Sequence, residues 1–210
     1  MGKQQKYIKR AFLDLLKEND LHSVSIRQLV QKADVSRSCF YSYYSDKYEL
    51  LQEIEDDLIA GFVSIMKKVR QHSVGYFYEG ITHRNYPIYT EYFTYIKQHQ
   101  EVFTILFSAR MGDDFTNRFS RAIAKTRHDT LRYWHLDPEP NPWLAFQENL
   151  LAASYVSIIK TWLNQDCQPS IEEMGAYLST LWRPGFFYNE TQYQRAVQYM
   201  DDNRTAVLSG

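Results

Sequence analysis

The sequence predicts an all-α protein with a small N-terminal head and a larger helical body. Apolar residues recur at intervals of three and four along most of the 210 residues, as they do on the buried face of an amphipathic helix. Serine or aspartate precedes several of these apolar runs, as is typical of helix N-caps. The alternating pattern of a β-strand does not persist anywhere. These three observations favour helices throughout.

The head has the spacing of three short helices and the start of a longer one. A first apolar stripe consists of Ile8, Ala11, Phe12, Leu15 and Leu16. Ser25 is the predicted N-cap of a second helix, and Asp34 follows it in a short turn. Ser36 is the predicted N-cap of a third helix that ends by Tyr44, because Ser45-Asp46 caps the next one. Residues 25–44 therefore have helix-turn-helix dimensions, although a plain three-helix bundle has similar ones.

Helical periodicity continues through the body, interrupted by glycine and proline near residues 75–87 and 136–142. The predicted helices are 47–70, 86–98, 101–109, 113–133, 142–164 and 170–181, the last with Ser170 as its N-cap, and a polar helix is predicted at 190–200. We predict a head domain at 1–62 and a body domain at 63–210.

Charge is unevenly distributed between these parts. The whole chain has a net charge of −1, but residues 1–47 contain nine Lys/Arg and five Asp/Glu. A basic head on an acidic body indicates a surface that binds a polyanion. The chain has two cysteines, which fit neither a disulfide framework nor a metal site, and no apolar signal segment or membrane span. We therefore expect a cytoplasmic protein with no metal and no cofactor.

The third helix has an unusual exposed face. If Val35, Phe40 and Tyr44 pack inwards, the outward side chains are a guanidinium, hydroxyls and a phenol, with no carboxylate between Ser36 and Tyr44. Phosphates repel carboxylates, and base edges need hydrogen-bond donors. This helix therefore has the composition of one that enters the major groove of DNA.

Lys47 lies in the first turn of the long helix, where the helix dipole disfavours a cation by about 0.3–1 kcal/mol. A phosphate bound beside it, and held also by the free amides of that turn, would explain the lysine. The alternative is a solvated lysine next to Asp46.

The segment "VSIRQLVQKADVSRSCFYSYYSDKYELLQEI" resembles the DNA-binding head of the tetracycline-repressor (TetR) family of bacterial transcription regulators. The resemblance rests on the capped second helix, "A-x-V-S" at the turn, the aromatic-Tyr pair and "Asp-Lys-x-x-Leu". Asp34 stands where the family typically has glycine, and aspartate can also adopt the left-handed conformation.

The resemblance implies that nine residues lie at the DNA: Ser25, Arg27, Arg37, Ser38, Cys39, Tyr41, Ser42, Tyr43 and Lys47. Ser25, Tyr41 and Lys47 would contact phosphate, and Arg37 would contact a guanine in bidentate fashion, worth about 1–3 kcal/mol of discrimination. Cys39 would pack close to the backbone. The expected function is a repressor that binds a pseudo-palindromic operator as a homodimer and is released by a small-molecule ligand.

The body would supply dimerisation and ligand binding. The helix in "PWLAFQENLLAASYVSIIKTWL" is apolar on more than one face, which indicates burial on more than one side. Predicted dimer contacts are Tyr155, Ile158, Trp162, Met174 and Leu178. The aromatic middle region would hold a small-molecule pocket lined by Phe62, Met66, Tyr92, Tyr95, Phe103 and Phe107, although such a stripe is equally typical of a filled core.

Two alternatives remain open at the level of the sequence. The segment "AASYVSIIKTWLNQDCQPSIEEMGAYLSTL" has a long helix ending in Trp162, a polar turn and then "Ser-x-Glu-Glu-Met". In this it resembles, more weakly, the dihydroxyacetone-kinase-activator (DhaS-like) branch. That branch includes a member controlled by a protein co-regulator, so the input could be a small molecule or a protein. A lookalike without DNA binding would serve as an interaction module. An enzyme is not expected, because the six histidines are scattered and no phosphate loop or nucleophile motif is present.

Overall fold

The computed structural model describes residues 2–72, 87–136 and 144–181. Every regular element within these ranges is helical, which confirms the predicted all-α class. The helices are α1 Lys3–Leu16, α2 Ile26–Ala33, α3 Arg37–Tyr41, α4 Lys47–Lys67, α5 Pro87–Gln98, α6 Gln100–Leu106, α7 Asp114–Tyr133, α8 Leu144–Asn164 and α9 Ile171–Leu181. The predicted polar helix at 190–200 lies outside the described residues, and within them no helix could span a bilayer.

The chain divides into two compact units. The first comprises Met1–Gly61 together with His99–Arg118, and the second comprises Phe62–Gln98 and Phe119–Gly210. The sequence placed the boundary at residue 62 but assigned 99–118 to the body. The structure instead packs this segment, which contains α6 and the start of α7, with the head.

Side-chain caps determine where the helices begin. Ser25 and Gln28 form a capping box at α2, with the Gln28 amide donating to Ser25 Oγ and the Ser25 amide donating to Gln28 Oε1. Ser36 accepts from the Cys39 amide at the start of α3. Ser170 forms the equivalent reciprocal pair with Glu173 at α9. All three N-caps were predicted and are confirmed. In each case the serine hydroxyl accepts a hydrogen bond from a backbone amide in the first turn of the helix, which has no partner within the helix.

The third helix is shorter than predicted. It ends at Tyr41 rather than Tyr44, and Ser42 is its C-cap. The Ser42 hydroxyl donates to the Cys39 carbonyl at 2.7 Å, and the Tyr43 amide turns back to the Phe40 carbonyl at 3.0 Å. This side-chain bond and the tight turn end the regular helix, as local serine contacts with the backbone commonly do.

The first unit is built around a small apolar core with ion pairs at its edge. Its core includes Ile8, Phe12, Leu29, Phe40 and Leu50, together with Phe103 and Leu106 from the segment 99–118, all of which are 0% exposed. Lys9 on α1 bridges Glu53 and Asp57 on α4, with Nζ–O distances of 3.0 and 2.6 Å. These contacts fix α1 against α4.

The segment 99–118 is attached to the same unit by ion pairs and hydrogen bonds, including an ion pair between Lys17 and Glu101. Arg10 Nη1 lies 2.6 Å from Glu101 Oε2 on α6. The Arg110 guanidinium donates to the Lys17 carbonyl at 2.7 Å. Arg118, at the start of α7, pairs with Glu55 and Asp56 on α4.

The second unit has an aromatic core. Helix α9 packs along α5, and Trp162 on α8 meets Phe93 on α5 edge to face, with ring centroids 5.0 Å apart. Phe62 lies 5.0 Å from Phe119 by the same measure. The long apolar stripes of α4, α5 and α8 are therefore largely packing, as aromatic stripes at helical spacing commonly are.

Asp34 adopts a left-handed conformation, with φ 53° and ψ 47°. A side chain with a Cβ is disfavoured there by about 1–2 kcal/mol, whereas glycine is not. We expect Asp34→Gly to be more stable than Asp34→Ala by about 1 kcal/mol in chemical denaturation. Both variants remove the same charge, so the difference isolates the backbone conformation. An alanine variant as stable as the glycine variant would contradict the assigned turn.

Candidate nucleic-acid interface

The turn between α2 and α3 sets the direction of α3. At Asp34 the chain reverses, and the amides of Asp34 and Val35 return to the carbonyls of Gln31 and Val30 at 3.3 and 3.1 Å. These bonds use carbonyls that the end of α2 would otherwise leave without a partner. The next helix therefore leaves α2 in one defined direction.

The predicted inward and outward faces of α3 are confirmed. Phe40 and Tyr44 are 0% and 2% exposed, and Val35 is half-buried. The exposed side chains are Arg37, Ser38, Tyr41, Ser42 and Tyr43. Cys39 is half-buried, in agreement with the predicted packing role. The surface of α3 thus carries a guanidinium, hydroxyls and phenols without a carboxylate.

The arginines of the first unit fall into two groups. Arg10, Arg110 and Arg118 are held by carboxylates or a carbonyl of the protein. Arg27 and Arg37 are exposed, and neither forms a hydrogen bond or an ion pair within the described part of the chain. Since a guanidinium has five N–H donors and no acceptor, these two side chains present unused donors on the outer surface of α2 and α3.

Two of the predicted serine contacts already have partners. Ser25 Oγ donates to Gln28 Oε1 at 2.7 Å, and Ser42 Oγ donates to the Cys39 carbonyl. A hydroxyl has one proton to donate, and a phosphate oxygen can only accept. These serines therefore stabilise the ends of α2 and α3, and their predicted DNA contacts would require those bonds to break. Ser38 shares one hydrogen bond with Ser36, at 2.9 Å, in which either hydroxyl can be the donor.

Tyr41 and Tyr43, the exposed tyrosines at the end of α3, each contact another residue of the first unit. The Tyr41 ring, 55% exposed, meets Phe40 edge to face at a centroid distance of 5.4 Å. The Tyr43 hydroxyl lies 3.5 Å from Gln4 Oε1 at the start of α1. The contact of Tyr41 with a phosphate stays a prediction. Tyr43 is positioned by its contact with Gln4 on α1.

Lys47 has a role that the sequence did not reveal. Its Nζ donates to the carbonyls of Leu21, His22 and Val24 at 2.7, 3.0 and 2.7 Å. An ammonium group has three N–H donors, so all three are directed at the loop between α1 and α2. Lys47 thereby fixes the loop that leads into Ser25 and α2. Its predicted phosphate contact would require at least one of these bonds to be exchanged.

The start of α4 contains its own anion. Asp46 Oδ1 accepts from the amides of Tyr48 and Glu49 at 2.8 and 2.9 Å. The Ser45 hydroxyl and amide donate to Glu49, which lowers the pKa of that carboxyl. The amides that were expected to bind phosphate are therefore occupied by Asp46, which is a correction to the sequence-based expectation.

The predicted pocket residues are divided between the two units. Met66 and Tyr92 line a cavity in the second unit, together with Val69, Tyr89, Ile123, Arg127, Thr130 and Tyr155. Phe62 and Tyr92 line a smaller one, and Tyr95 packs against the Phe62 ring. Phe103 and Phe107 stack on each other and contact Phe115 in the first unit. Those two residues are core, because their rings fill the space between α6 and α7.

The predicted dimer residues are also placed differently. Trp162, Met174 and Leu178 are buried inside the protomer, while Tyr155 and Ile158 line its cavities. Among the described side chains of α8 and α9, the exposed apolar ones are instead Phe146, Leu150 and Tyr177, together with the small Ala145, Ala153 and Ala176. The sequence misled here because α8 is apolar around most of its circumference, so its periodicity does not distinguish the inner face from the outer one.

The fold and the basic face of α2 and α3 define a helix-turn-helix protein, and comparison with known proteins identifies the family. Residues 9–54 match the family model of the bacterial regulatory proteins of the tetR family. Residues 84–183 match a transcriptional regulator C-terminal region. The chain belongs to the TetR family of bacterial regulatory proteins. This confirms the predicted resemblance and favours a regulator over an enzyme.

Individual relatives agree with this assignment. The uncharacterized HTH-type transcriptional regulator YxbF of Bacillus subtilis is 25% identical over 167 residues, which are 79% of this chain and 41% of that protein. The activator of the dhaKLM operon DhaS, from Lactococcus lactis, is 35% identical over 60 residues, or 29% of this chain and 32% of that protein. The chain thus spans less than half the length of these two relatives.

Among solved structures, a TetR transcriptional regulator from Streptococcus agalactiae is similar, with a TM-score of 0.59 and 26% identity. The match covers 85% of this chain and 93% of that one.

Replacement of Lys47 tests its role in the loop. Lys47→Met keeps the aliphatic stem but removes three hydrogen bonds from a charged donor, and such bonds contribute about 1.5–3 kcal/mol. We expect the free energy of unfolding to fall by about 2 kcal/mol in urea denaturation. Lys32→Met, at an exposed position on α2, serves as the control and should change it by less than about 0.5 kcal/mol. Unchanged stability with uniformly weaker DNA binding would instead assign Lys47 to phosphate.

Proposed function

We propose that this protein is a sequence-specific regulator of transcription that binds double-stranded DNA as a homodimer in the cytoplasm. The observation that carries this proposal is the exposed, carboxylate-free face of α3, on which Arg37 has donors without protein partners in the described chain. A guanidinium can donate two parallel hydrogen bonds to guanine O6 and N7. A short helix fixed behind by Phe40 and Tyr44 is suited to hold that group in a major groove.

Arg37 and Arg27 have different proposed contacts with the DNA. Arg37 lies in the first turn of α3 and is the candidate for a base contact. Arg27 lies at the start of α2, and we assign it to a backbone phosphate or a base near the edge of the groove. Since each head covers few base pairs, specificity requires two heads on a pseudo-palindrome.

Repression is the regulatory direction that we propose, because a dimer bound over a promoter blocks polymerase without further machinery. The DhaS relative is described as an activator, which makes activation the second candidate. A reporter gene whose promoter contains a DNA site selected by this protein from a random duplex library decides between them. Reporter output rises on deletion of the regulator if the protein represses, and falls if it activates.

The Arg37 assignment is testable with a DNA site selected from a random duplex library. Arg37→Ala should lose about 1–3 kcal/mol of discrimination at one base pair per half-site. Arg121→Ala, at an exposed position on α7 outside the first unit, is the matched control and should bind as the wild type does. Fluorescence anisotropy over a range of salt concentrations measures both. An unaltered sequence preference in Arg37→Ala would refute the assignment.

Dimerisation is proposed to use the outer face of α8, where Leu150 is 68% exposed. Leu150→Glu should weaken self-association at least tenfold in sedimentation equilibrium, because a carboxylate would be buried in an apolar interface. Ala145→Glu is the control, since this exposed position lies about 140° around the same helix. No effect of either substitution would place the interface elsewhere, and equal weakening by both would show that the effect is not specific to the Leu150 face.

A further inference from the structure

The start of α1 lies beside the surface proposed to meet DNA. The Tyr43 hydroxyl lies 3.5 Å from Gln4 Oε1, and a methyl group added at Gly2 would lie 3.4 Å from the same hydroxyl. Tyr43 follows α3 and is one of the exposed side chains of its carboxylate-free face. The first turn of α1 is therefore continuous with that face, although it lies outside the helix-turn-helix.

Lys3 and Lys6 lie on the outer side of α1 at this point. Both side chains are exposed, and residues three or four apart share one face of a helix. Tyr7 lies on the same face and is 50% exposed, and Lys3 Nζ is 5.8 Å from the centre of its ring. Such a cation–π contact holds the ammonium group at the surface without neutralising its charge.

These two lysines differ from the other lysines of the same surface in how their donors are used. Lys9 and Lys17, also on or next to α1, each contact two carboxylates, and Lys47 donates to three backbone carbonyls. Neither Lys3 nor Lys6 forms a hydrogen bond or an ion pair with any residue that the structure describes. An ammonium group has three N–H donors and no acceptor. Both groups can therefore bind an anion from outside the protein.

Carboxylates near the start of α1 do not compensate these charges. The first turn of the helix contains no acidic residue, and Asp14 is the first acidic residue of the sequence. Glu53, on α4, accepts from Lys9 and from Gln5, each at 3.0 Å. A polyanion that approaches this side of the first unit consequently meets positive charge that the protein has not paired.

We propose that Lys3 and Lys6 bind backbone phosphates of the same DNA duplex whose major groove α3 enters. Phosphate oxygens accept hydrogen bonds from an ammonium group whatever the base sequence, so these contacts position the head and do not read bases. They extend the interface from the helix-turn-helix to α1 and fix the register of Arg37 on the duplex. This inference rests on the proposed function, because it assigns further contacts with the same partner.

The salt dependence of binding measures these contacts. Each phosphate contact contributes about 0.9 to the slope of log Kobs against log salt concentration, and a dimer contains two copies of each lysine. We therefore expect Lys3→Gln/Lys6→Gln to lower the magnitude of this slope by about 3–4. Its affinity for the selected site should fall at least about tenfold at about 0.15 M salt, with the base preference unchanged. Fluorescence anisotropy with the full chain measures all three quantities.

A matched control separates local contacts from a change in net charge. Lys67→Gln/Lys97→Gln removes two charges from exposed positions in the second unit, and its slope should stay within about 1 of the wild-type slope. Lys3→Arg/Lys6→Arg keeps both charges and should retain the wild-type slope. The inference is overturned if Lys3→Gln/Lys6→Gln keeps the wild-type slope, or if the control variant loses as much.

Phosphate ethylation interference gives a second measurement on the same duplex. We expect ethylation of particular phosphates to weaken binding of the wild type but not of Lys3→Gln/Lys6→Gln. Identical interference patterns for the two proteins would overturn the inference. If the wild type binds no duplex in a salt-dependent manner, the proposed function fails and this inference fails with it. Steeply salt-dependent binding by the wild type and an unchanged glutamine variant would refute this inference alone.

Discussion

The burial of Phe40 is the constraint on which the head depends. Helix α3 has five residues, too few for a helix to be stable alone in water. Its conformation and orientation therefore come from tertiary packing, in which Phe40 and Tyr44 enter the core of the first unit. Once these two rings are inside, the helical repeat determines that Arg37 and Tyr41 face outwards. The proposed DNA-binding surface is thus a consequence of the apolar core behind it.

Polar contacts inside the head then decide which exposed groups remain available. Lys47 holds the loop before α2, and Ser25 and Ser42 hold the ends of α2 and α3. Each of these side chains uses its donors within the protein. Arg27 and Arg37 do not use their donors within the described part of the chain. The groups best placed to bind DNA are therefore those that the fold does not need. Under the proposed assignment, stability and sequence preference therefore depend on different side chains.

The sequence was most informative where one residue determines local geometry. The N-caps Ser25, Ser36 and Ser170 and the left-handed Asp34 were predictable because the capping preferences of these side chains act over three or four residues. The three carbonyls around Lys47 were not predictable, since they depend on how a loop folds back over more than 20 residues. The position of Phe103 and the buried charge of Arg127 were missed for the same reason: helical periodicity shows that a residue is inside, but not which neighbours it meets.

The central claim is that Arg37 hydrogen bonds to a guanine in the major groove, and one double-mutant cycle tests it directly. In the selected site, 7-deazaguanine replaces guanine at the preferred position and removes the N7 acceptor. We expect wild-type affinity to fall about five- to tenfold, equivalent to roughly 1–1.4 kcal/mol, while Arg37→Ala binds both duplexes equally. If Arg37→Ala loses as much as the wild type on this replacement, the guanidinium does not contact that base and the account is contradicted.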